Sequence, residues 1–180
     1  MKLTPGFLVK IIFICGLIIW IGIFNFLFRP AENRPAKEAE KKGDVFFQEG
    51  KPDLALFYWK RAIAAAPARA TPYEKISAYY LLQGQWPEAR RISERGLTQM
   101  PSCVNLYFNL GLSCYFSGDY VRARESFERV TQADSYYPDA HYFLGLIYRQ
   151  QGRPAEAKKE FIRELNLDPT SRRAWKEIRE

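Results

Sequence analysis

Apolar and polar positions divide the chain into two parts with different patterns. From Ile11 to Phe28 there is no charged residue in 18 consecutive positions, which are dense in Ile, Leu and Phe. After Arg29, apolar residues recur at spacings of three and four, which is the pattern of an amphipathic helix. The chain is therefore predicted to have one apolar helix followed by a series of amphipathic helices.

The apolar segment has the length of a membrane-spanning helix. At about 1.5 Å per residue, such a run spans about 27 Å, close to the hydrocarbon thickness of a bilayer. Lys10 can extend toward the headgroups, so we predict a transmembrane helix over residues 7–28 after a short tail at residues 1–6. A cleaved signal peptide or a buried helix are the competing interpretations, but Phe28-Arg29-Pro30 offers no small residues before a cleavage site.

The orientation of this anchor stays open between two interpretations. Lys and Arg near the two ends of the span are Lys2 and Lys10 on one side, and Arg29, Arg34, Lys37, Lys41 and Lys42 on the other. By the positive-inside rule, these counts favour a cytoplasmic location for the part after the anchor, in what we expect to be a bacterial inner membrane. A short lysine-bearing N-terminus before an apolar run is also typical of a signal anchor, which would place that part in the periplasm.

The amphipathic part of the chain repeats every 34 residues. Glycine recurs at this interval, at Gly50, Gly84, Gly118 and Gly152. Alanine follows five residues later, at Ala55, Ala89, Ala123 and Ala157. Proline occupies a third position, at Pro67, Pro101 and Pro169. Each unit therefore predicts two helices, with the glycine ending the first and the proline following the second.

The remaining motif residues resemble those of one repeat family. The fourth unit carries the most complete set: Leu144, Gly145, Tyr148, Gly152, Ala157, Phe161 and Pro169. The second unit has Ser77 where the small glycine is expected, and the first has Ala39 and Lys42 where apolar anchors are expected. The departure of the first unit suits a terminal repeat, whose outer face has no neighbour. From Ala36 to about Ser171 the chain resembles the tetratricopeptide repeat family.

This resemblance implies an all-α fold, a helical solenoid of four helix-turn-helix repeats, preceded here by the predicted transmembrane helix. The predicted boundaries are a linker at residues 29–35, repeats at residues 36–69, 70–103, 104–137 and 138–171, and a capping helix at residues 172–180. We expect Trp175 and Ile178 to cover the last apolar face. Within the hairpins, we expect Gly43, Gly111 and Gly145 to face the repeated alanines where two helices approach closely.

The resemblance also implies a concave groove, lined by the first helix of each repeat, that holds a peptide or a partner helix. The residues predicted to line it are Phe47, Leu81, Leu82, Phe108, Leu112, Tyr115, Phe116, Tyr142, Leu146 and Arg149. Several of these aromatic residues could instead pack between repeats and build core. Because the middle of the set is strongly apolar, we expect the ligand to be an amphipathic helix or an extended apolar segment.

Some members of this family resemble chaperone adaptors that clamp a C-terminal carboxylate with Lys, Arg and Asn. At the clamp positions this chain has Glu40, Asp44, Lys75, Asn105 and Asn109. The two acids would repel a carboxylate, so this activity is not expected. Asn109 is predicted to hydrogen-bond the nearby backbone.

The composition of the chain argues against nucleic-acid binding, metal binding and catalysis. The chain has a net charge of +7, and the part from Arg29 to Glu180 accounts for +5 of it, without a recognisable nucleic-acid-binding motif. One His and three Cys provide neither a zinc cluster nor a disulfide framework. His141 falls in an aromatic packing position and is predicted to be a core residue, and Cys103 and Cys114 lie too far apart to bridge. We therefore predict no enzymatic activity, no metal, no cofactor and no small-molecule substrate.

The predicted function is a membrane-anchored scaffold or adaptor that binds a protein partner in its groove and supports the assembly or stability of a membrane-associated complex. The alternative is a permanent structural subunit of such a complex. The membrane complex is not identified by the sequence. Its kind stays open between envelope biogenesis, secretion or pilus machinery, cytochrome maturation, and photosynthetic or respiratory assembly. A third hypothesis is an enzyme regulator that competes for the groove.

Overall fold

The computed structural model describes residues 33–179, and this range consists of helices joined by short turns, without a strand. The helices are α1 (Asn33–Gln48), α2 (Pro52–Ala65), α3 (Ala70–Leu82), α4 (Trp86–Gln99), α5 (Val104–Phe116), α6 (Tyr120–Ala133), α7 (Ala140–Gln150), α8 (Pro154–Leu167) and α9 (Arg172–Arg179). Helices α1 to α8 pair into four hairpins that stack in sequence order, and α9 packs on α8. The fold is the predicted all-helical repeat solenoid.

The predicted transmembrane helix at residues 7–28 lies outside the described residues. Within residues 33–179, no helix combines the length and the apolar character that crossing a membrane requires. Helix α1 begins at Asn33, so the last three residues of the predicted linker already belong to it. Pro35 is tolerated there because the first-turn N–H groups of a helix have no partner within the helix.

The glycines at the 34-residue interval end the first helix of each hairpin, as predicted. All four have positive φ angles, between +69° and +82°. In the first hairpin, the N–H of Gly50 donates to the carbonyl of Phe47 at 3.1 Å, and the N–H of Lys51 donates to that of Phe46 at 2.8 Å. These bonds satisfy the last carbonyls of the helix and turn the chain back. Pro52 then begins α2, at a position where proline is favoured.

A glycine in the first helix of three hairpins lies against an aromatic ring of the second helix. A Cβ added at Gly43 would lie 2.5 Å from Cδ1 of Trp59, and one at Gly111 would lie 2.9 Å from Cε1 of Phe127. The prediction that these glycines face the repeated alanines holds at Gly43, where the added Cβ would also lie 3.1 Å from the carbonyl oxygen of Ala55, but it did not include the rings. The alanines are fully or almost fully buried, but the closest neighbour of each glycine is a ring 16 residues later.

The second hairpin solves the same packing problem with two small residues. Its two corresponding positions hold Ser77 and Ser93, and both are completely buried. Serine is larger than glycine and much smaller than phenylalanine. Compared with the glycine–aromatic pairs, the second hairpin therefore has a larger side chain on its first helix and a smaller one on its second helix. The space between the helices is therefore specified by the pair of residues rather than by either residue alone.

Two apolar clusters hold neighbouring hairpins together. The first includes Trp59 and Ile63 of α2, Tyr73 and Ile76 of α3, and Leu106 of α5. The second joins α5 and α6 to α7, and its buried members are Cys114, Ala123, Phe127, Leu144 and Ile147. Because each cluster links adjacent hairpins, the stability of the array rests on contacts between nearest neighbours.

The C-terminal helix packs on the last hairpin, and of the two residues predicted to cover its apolar face, Ile178 is half-buried and Trp175 is exposed. Ala174 is the residue of α9 that is fully buried, whereas Trp175 is 45% exposed, and its Nε1 donates to the carbonyl of Pro169 at 2.9 Å. Trp175 corresponds in register to His141, which packs on the second helix of its own hairpin. Within the described residues, no second helix packs on Trp175 in this way.

Candidate partner-binding groove

The groove face is defined here as the side of α1, α3, α5 and α7 that carries the ten predicted partner-binding residues. At its first end, a cavity of about 340 Å³ opens between α1 and α3. Phe47, Tyr79 and Leu82 form its apolar walls, and Asp44 and Lys75 lie at its polar edge. The cavity therefore combines apolar surface with a fixed pair of charges.

The predicted groove residues fall into exposed and partly buried groups. Leu82 is 77% exposed, Phe116 50% and Phe47 43%. The partly buried group consists of Leu81, Phe108, Leu112, Tyr115, Tyr142 and Leu146. Arg149 is exposed and forms an ion pair with Glu177 of α9. Three large apolar side chains on this face are thus open to a ligand.

Some of the partly buried group contribute to the core between the third and fourth hairpins. Phe108, Leu112 and Tyr115 pack against the second apolar cluster. The ring centroid of Phe108 lies 5.6 Å from that of Phe127, and the ring centroid of Tyr115 lies 5.4 Å from that of Phe143. Replacing these residues would therefore disturb the stacking of hairpins as well as the groove face.

Two aromatic residues of this region were not predicted as groove residues. Trp86 stacks on Phe116, with ring centroids 4.8 Å apart and planes at 21°. It begins α4, a second helix, and sequence register assigns second helices to the outer side. Tyr79 lines the cavity although it occupies the same register as Ser113 and Ile147, which are both fully buried. In the sequence, the aromatic side chains of Trp86 and Tyr79 were the sign that these residues could belong to the groove region.

Buried and half-buried charges join the first two hairpins beside the cavity. Lys75 Nζ lies 2.9 Å from Oε1 of Glu40 and 2.7 Å from both carboxylate oxygens of Asp44. Arg69 Nε lies 2.6 Å from Oε2 of Glu40, and Trp59 Nε1 donates to Asp44 at 3.0 Å. Burial alone would lower the pKa of Lys75, but its hydrogen bonds to Asp44 and Glu40 outweigh burial and raise that pKa.

This network occupies the positions at which relatives would clamp a carboxylate. Glu40 and Asp44 bring two negative charges there, and Lys75 is already bonded to both. An incoming C-terminal carboxylate would meet like charges and a cation with its bonds in use. The site is therefore unsuited to an acidic peptide end.

Asn109 has a structural role, as predicted. Its Nδ2 donates to Oγ of Ser77 at 2.7 Å and to the backbone carbonyl of Glu74 at 3.3 Å. Asn105 Nδ2 donates to the Glu74 carboxylate at 3.2 Å, and Asn105 Oδ1 accepts from the Tyr137 hydroxyl at 2.9 Å. These bonds fix the third hairpin against the second.

His141 is buried, as predicted, and it lies against a carboxylate of the same hairpin. Its Nδ1 is 2.7 Å from Oε2 of Glu160, whose Oε1 accepts from Arg163 at 2.6 Å. Glu164, one turn further along α8, is 3% exposed and accepts from the backbone N–H of Tyr142 at 3.3 Å. Burial, followed by the negative charge of Asp139, raises the pKa of Glu164.

Glu164→Gln should therefore stabilise the protein at neutral pH. A carboxyl group whose folded pKa is raised costs stability once the pH exceeds its unfolded pKa of about 4.3, because the folded state holds the proton more tightly. We expect a gain of about 1 kcal/mol at pH 7 that disappears below about pH 4, measured by urea denaturation. Glu156→Gln on the same helix is the control. The Arg153 hydrogen bond lowers the pKa of Glu156, so its removal should give no gain.

The two cysteines of the described range lie in surroundings that keep their thiols protonated. Burial raises the pKa of both Cys103 and Cys114, which is the opposite of what an activated thiol nucleophile needs. Across residues 33–179, no group of three or more His, Cys, Asp or Glu side chains could hold a metal ion.

Known proteins similar to this chain share its repeat architecture. The chain is 28% identical over 114 residues to Hsp70-Hsp90 organizing protein 3 of Arabidopsis thaliana, a match that covers 63% of this chain and 20% of that protein. A crystal structure of the MamA protein superposes with a TM-score of 0.74 at 22% identity, covering 80% of this chain and 79% of that one.

A third similar structure, the first tetratricopeptide repeat domain of Spaghetti (RPAP3), was solved with the HSP90 peptide SRMEEVD. It superposes with a TM-score of 0.63 at 18% identity, covering 67% of this chain and 95% of that one. At such identities the two structures establish the fold. This chain spans a fifth or less of the length of the organizing proteins that it matches.

A sequence model of the tetratricopeptide repeat matches the chain twice, at residues 74–138 and at residues 108–171. Together these matches cover more than half of the 180 residues. They cover the third and fourth hairpins and all but the first four residues of the second. Proteins with this fold typically act as protein-interaction scaffolds. By its sequence, its glycine-ended hairpins and its stacked architecture, this chain belongs to the tetratricopeptide repeat family.

Proposed function

We propose that this protein is a membrane-anchored scaffold that binds a protein partner on its groove face and supports the assembly or stability of a membrane-associated complex. The observation that carries the proposal is the exposure of Phe47, Leu82 and Phe116 on the first helices. Leu82 and Phe116 are one repeat apart, so successive first helices present them in the same register. Large apolar side chains clustered on one face are typical of an interaction surface.

The cavity between α1 and α3 supports an apolar ligand. Its walls would accept a large apolar side chain, and its polar edge carries the fixed charges of Asp44 and Lys75. An amphipathic helix or an extended apolar segment supplies such side chains at regular spacing. The acidic peptide bound by Spaghetti is a poor model for this partner, because Glu40 and Asp44 would repel its carboxylates.

The anchor that we propose at residues 7–28 would strengthen such binding. Tethering two proteins to one membrane raises their effective concentration, so even weak groove binding becomes effective. The proposed location is a bacterial inner membrane, with the repeats on the cytoplasmic side. The side can be tested by the accessibility of the repeats to protease in intact and opened cells.

Groove substitutions test the proposal. The double variant Leu82→Gln and Phe116→Gln should reduce partner capture at least about tenfold, since exposed apolar anchors dominate such contacts. Capture is measured by photo-crosslinking in cells from position 47, with the attached protein identified by mass spectrometry. Partners that co-purify in stoichiometric amounts and stay bound at high salt would instead show that this protein is a permanent subunit of the complex.

The matched control places the same change outside the groove face. Val121 of α6 and Ile162 of α8 are exposed apolar residues on second helices, so Val121→Gln and Ile162→Gln should leave capture unchanged. Thermal melting must show that all variants remain folded. Undiminished capture by a folded groove variant would rule out the apolar groove.

A further inference from the structure

The outer side of the first hairpin differs from that of the other three. Leu54 and Phe57 of α2 are 43% and 53% exposed. The corresponding positions of the later hairpins are all charged: Glu88 and Arg91, Arg122 and Glu125, and Glu156 and Lys159. Three of four repeats thus present charges to water at these positions, and the first presents two large apolar side chains.

The same side of the hairpin continues onto α1. Val45 is 50% exposed, although the corresponding Ser113 and Ile147 are completely buried. The Phe46 and Tyr58 rings stack with centroids 5.3 Å apart and planes at 16°. We call this region the end surface and define it by six residues: Lys42, Val45, Phe46, Leu54, Phe57 and Tyr58.

Cations lie on the aromatic rings of the end surface. Lys42 Nζ is 5.8 Å from the centroid of Tyr58, and Lys51 Nζ is 5.8 Å from that of Phe46. The Arg61 guanidinium lies 5.8 Å from the Phe57 ring and 6.0 Å from the Tyr58 ring. Each of these cations keeps its charged end near water beside apolar carbon atoms.

The charge around the end surface is predominantly positive. Lys41 and Lys60 are exposed in addition to the three cations on the rings. The nearby acids are Glu38, one turn before Lys42 on α1, Glu49, which is paired with Lys51 at 2.8 Å, and Asp53 at the start of α2, so the cations remain in excess. Aromatic residues flanked by Lys and Arg are typical of protein surfaces at a membrane interface, where the rings enter the headgroup layer and the cations meet lipid phosphates.

The chain length before α1 keeps this surface close to the proposed anchor. The predicted span ends at Phe28 and α1 begins at Asn33, so the two points are at most about 18 Å apart. Helix α1 itself is about 24 Å long. A first hairpin lying alongside the bilayer could therefore place Val45, Leu54 and Phe57 at the headgroups without stretching the connection.

We propose that the end surface docks on anionic lipid headgroups beside the anchor. This inference rests on the anchor in the proposed function. Leu54, Phe57 and Val45 enter the interfacial layer, while Lys42, Lys51 and Arg61 bind lipid phosphates. The later hairpins, with charges at the corresponding outer positions, then extend into water.

Site-specific crosslinking to lipid tests the docking. The full chain is reconstituted in vesicles of phosphatidylglycerol and phosphatidylcholine, with a photoreactive amino acid at position 57 or, as the matched control, at position 159. Lys159 has the same register on the fourth hairpin. We expect the yield of lipid adducts at position 57 to be at least about fivefold higher, and to fall in vesicles of phosphatidylcholine alone.

Flotation separates a failure of the anchor from a failure of the docking. A chain that does not float with the vesicles contradicts the anchor, and the docking is then wrong as well. A chain that floats but gives equal or no lipid adducts at the two positions contradicts the docking alone. Adducts from position 57 to a second copy of the chain would also overturn it, by showing that protein covers the surface.

A second variant keeps the test independent of the photoreactive residue at position 57. The changes Leu54→Glu and Phe57→Arg introduce the residues found at the same positions of the second hairpin. With the photoreactive group at position 45, this variant should lose at least about two thirds of its lipid adducts and still float and melt as the parent does. Unchanged adducts would exclude a role for Leu54 and Phe57.

Discussion

Replacement of Gly145 by alanine is expected to lower the free energy of unfolding by about 3 kcal/mol. The added Cβ would lie 2.6 Å from Cδ1 of Phe161, a ring that is 2% exposed and has no room to withdraw. Alanine's better helix propensity, about 1 kcal/mol, offsets only part of this overpacking. Urea denaturation followed by circular dichroism measures the change.

Two further variants show whether the ring causes the loss. At Gly118, an added Cβ has no neighbour within 4 Å, so Gly118→Ala should cost only about 1 kcal/mol, from its φ of +82°. In a Phe161→Leu background, the cost of Gly145→Ala should fall by more than about 1 kcal/mol. Additive effects of the two changes would contradict the proposed contact.

Lys75→Met is expected to destabilise the protein by about 2 kcal/mol. The change leaves the Glu40 carboxylate, which is 9% exposed, with Arg69 as its remaining cation, and it removes the cation bonded to Asp44. The estimate lies below that for a fully buried ion pair because Lys75 is itself 28% exposed. Thermal or urea denaturation at pH 7 measures the effect.

The control for Lys75→Met is a surface pair of the same chemistry. Lys51 and Glu49 lie 2.8 Å apart but are about half exposed, so Lys51→Met should change stability by less than about 0.5 kcal/mol. The raised pKa of Lys75 also sets the pH range over which Lys75 stabilises the protein. Its contribution should be complete below the unfolded value of about 10.4 and be lost as the pH rises through the folded pKa. Equal losses for the two variants would show that burial is unimportant.

Helix ends were predictable because the residues that end helices act locally. A glycine with positive φ, or a proline at the first helical position, determines the turn through its own backbone, so the 34-residue interval was enough to predict hairpins. The exposure of groove residues depends instead on neighbouring hairpins. Phe108 and Phe116 lie on the same helix, but Phe127 and Tyr137 pack against Phe108, whereas Phe116 remains half exposed.

Long-range pairing explains the other differences from prediction. Acids at clamp positions were evident in the sequence, but their bonds to Lys75 connect residues 31 and 35 positions apart. The aromatic partner of each small glycine was also missed, because the repeated alanines were the more regular feature. Trp175 was expected to help cover the last apolar face, but it remains 45% exposed and its indole donates to the carbonyl of Pro169.

The pairing of each first-helix position with a residue 16 positions later limits how such arrays can be recombined. A crossover at a loop between hairpins transfers Gly145 with Phe161, or Ser77 with Ser93, as an intact pair. A crossover at the turn inside a hairpin would set serine against phenylalanine in one chimera and glycine against serine in the other, giving a clash or a void. Libraries built from this protein should therefore exchange whole hairpins.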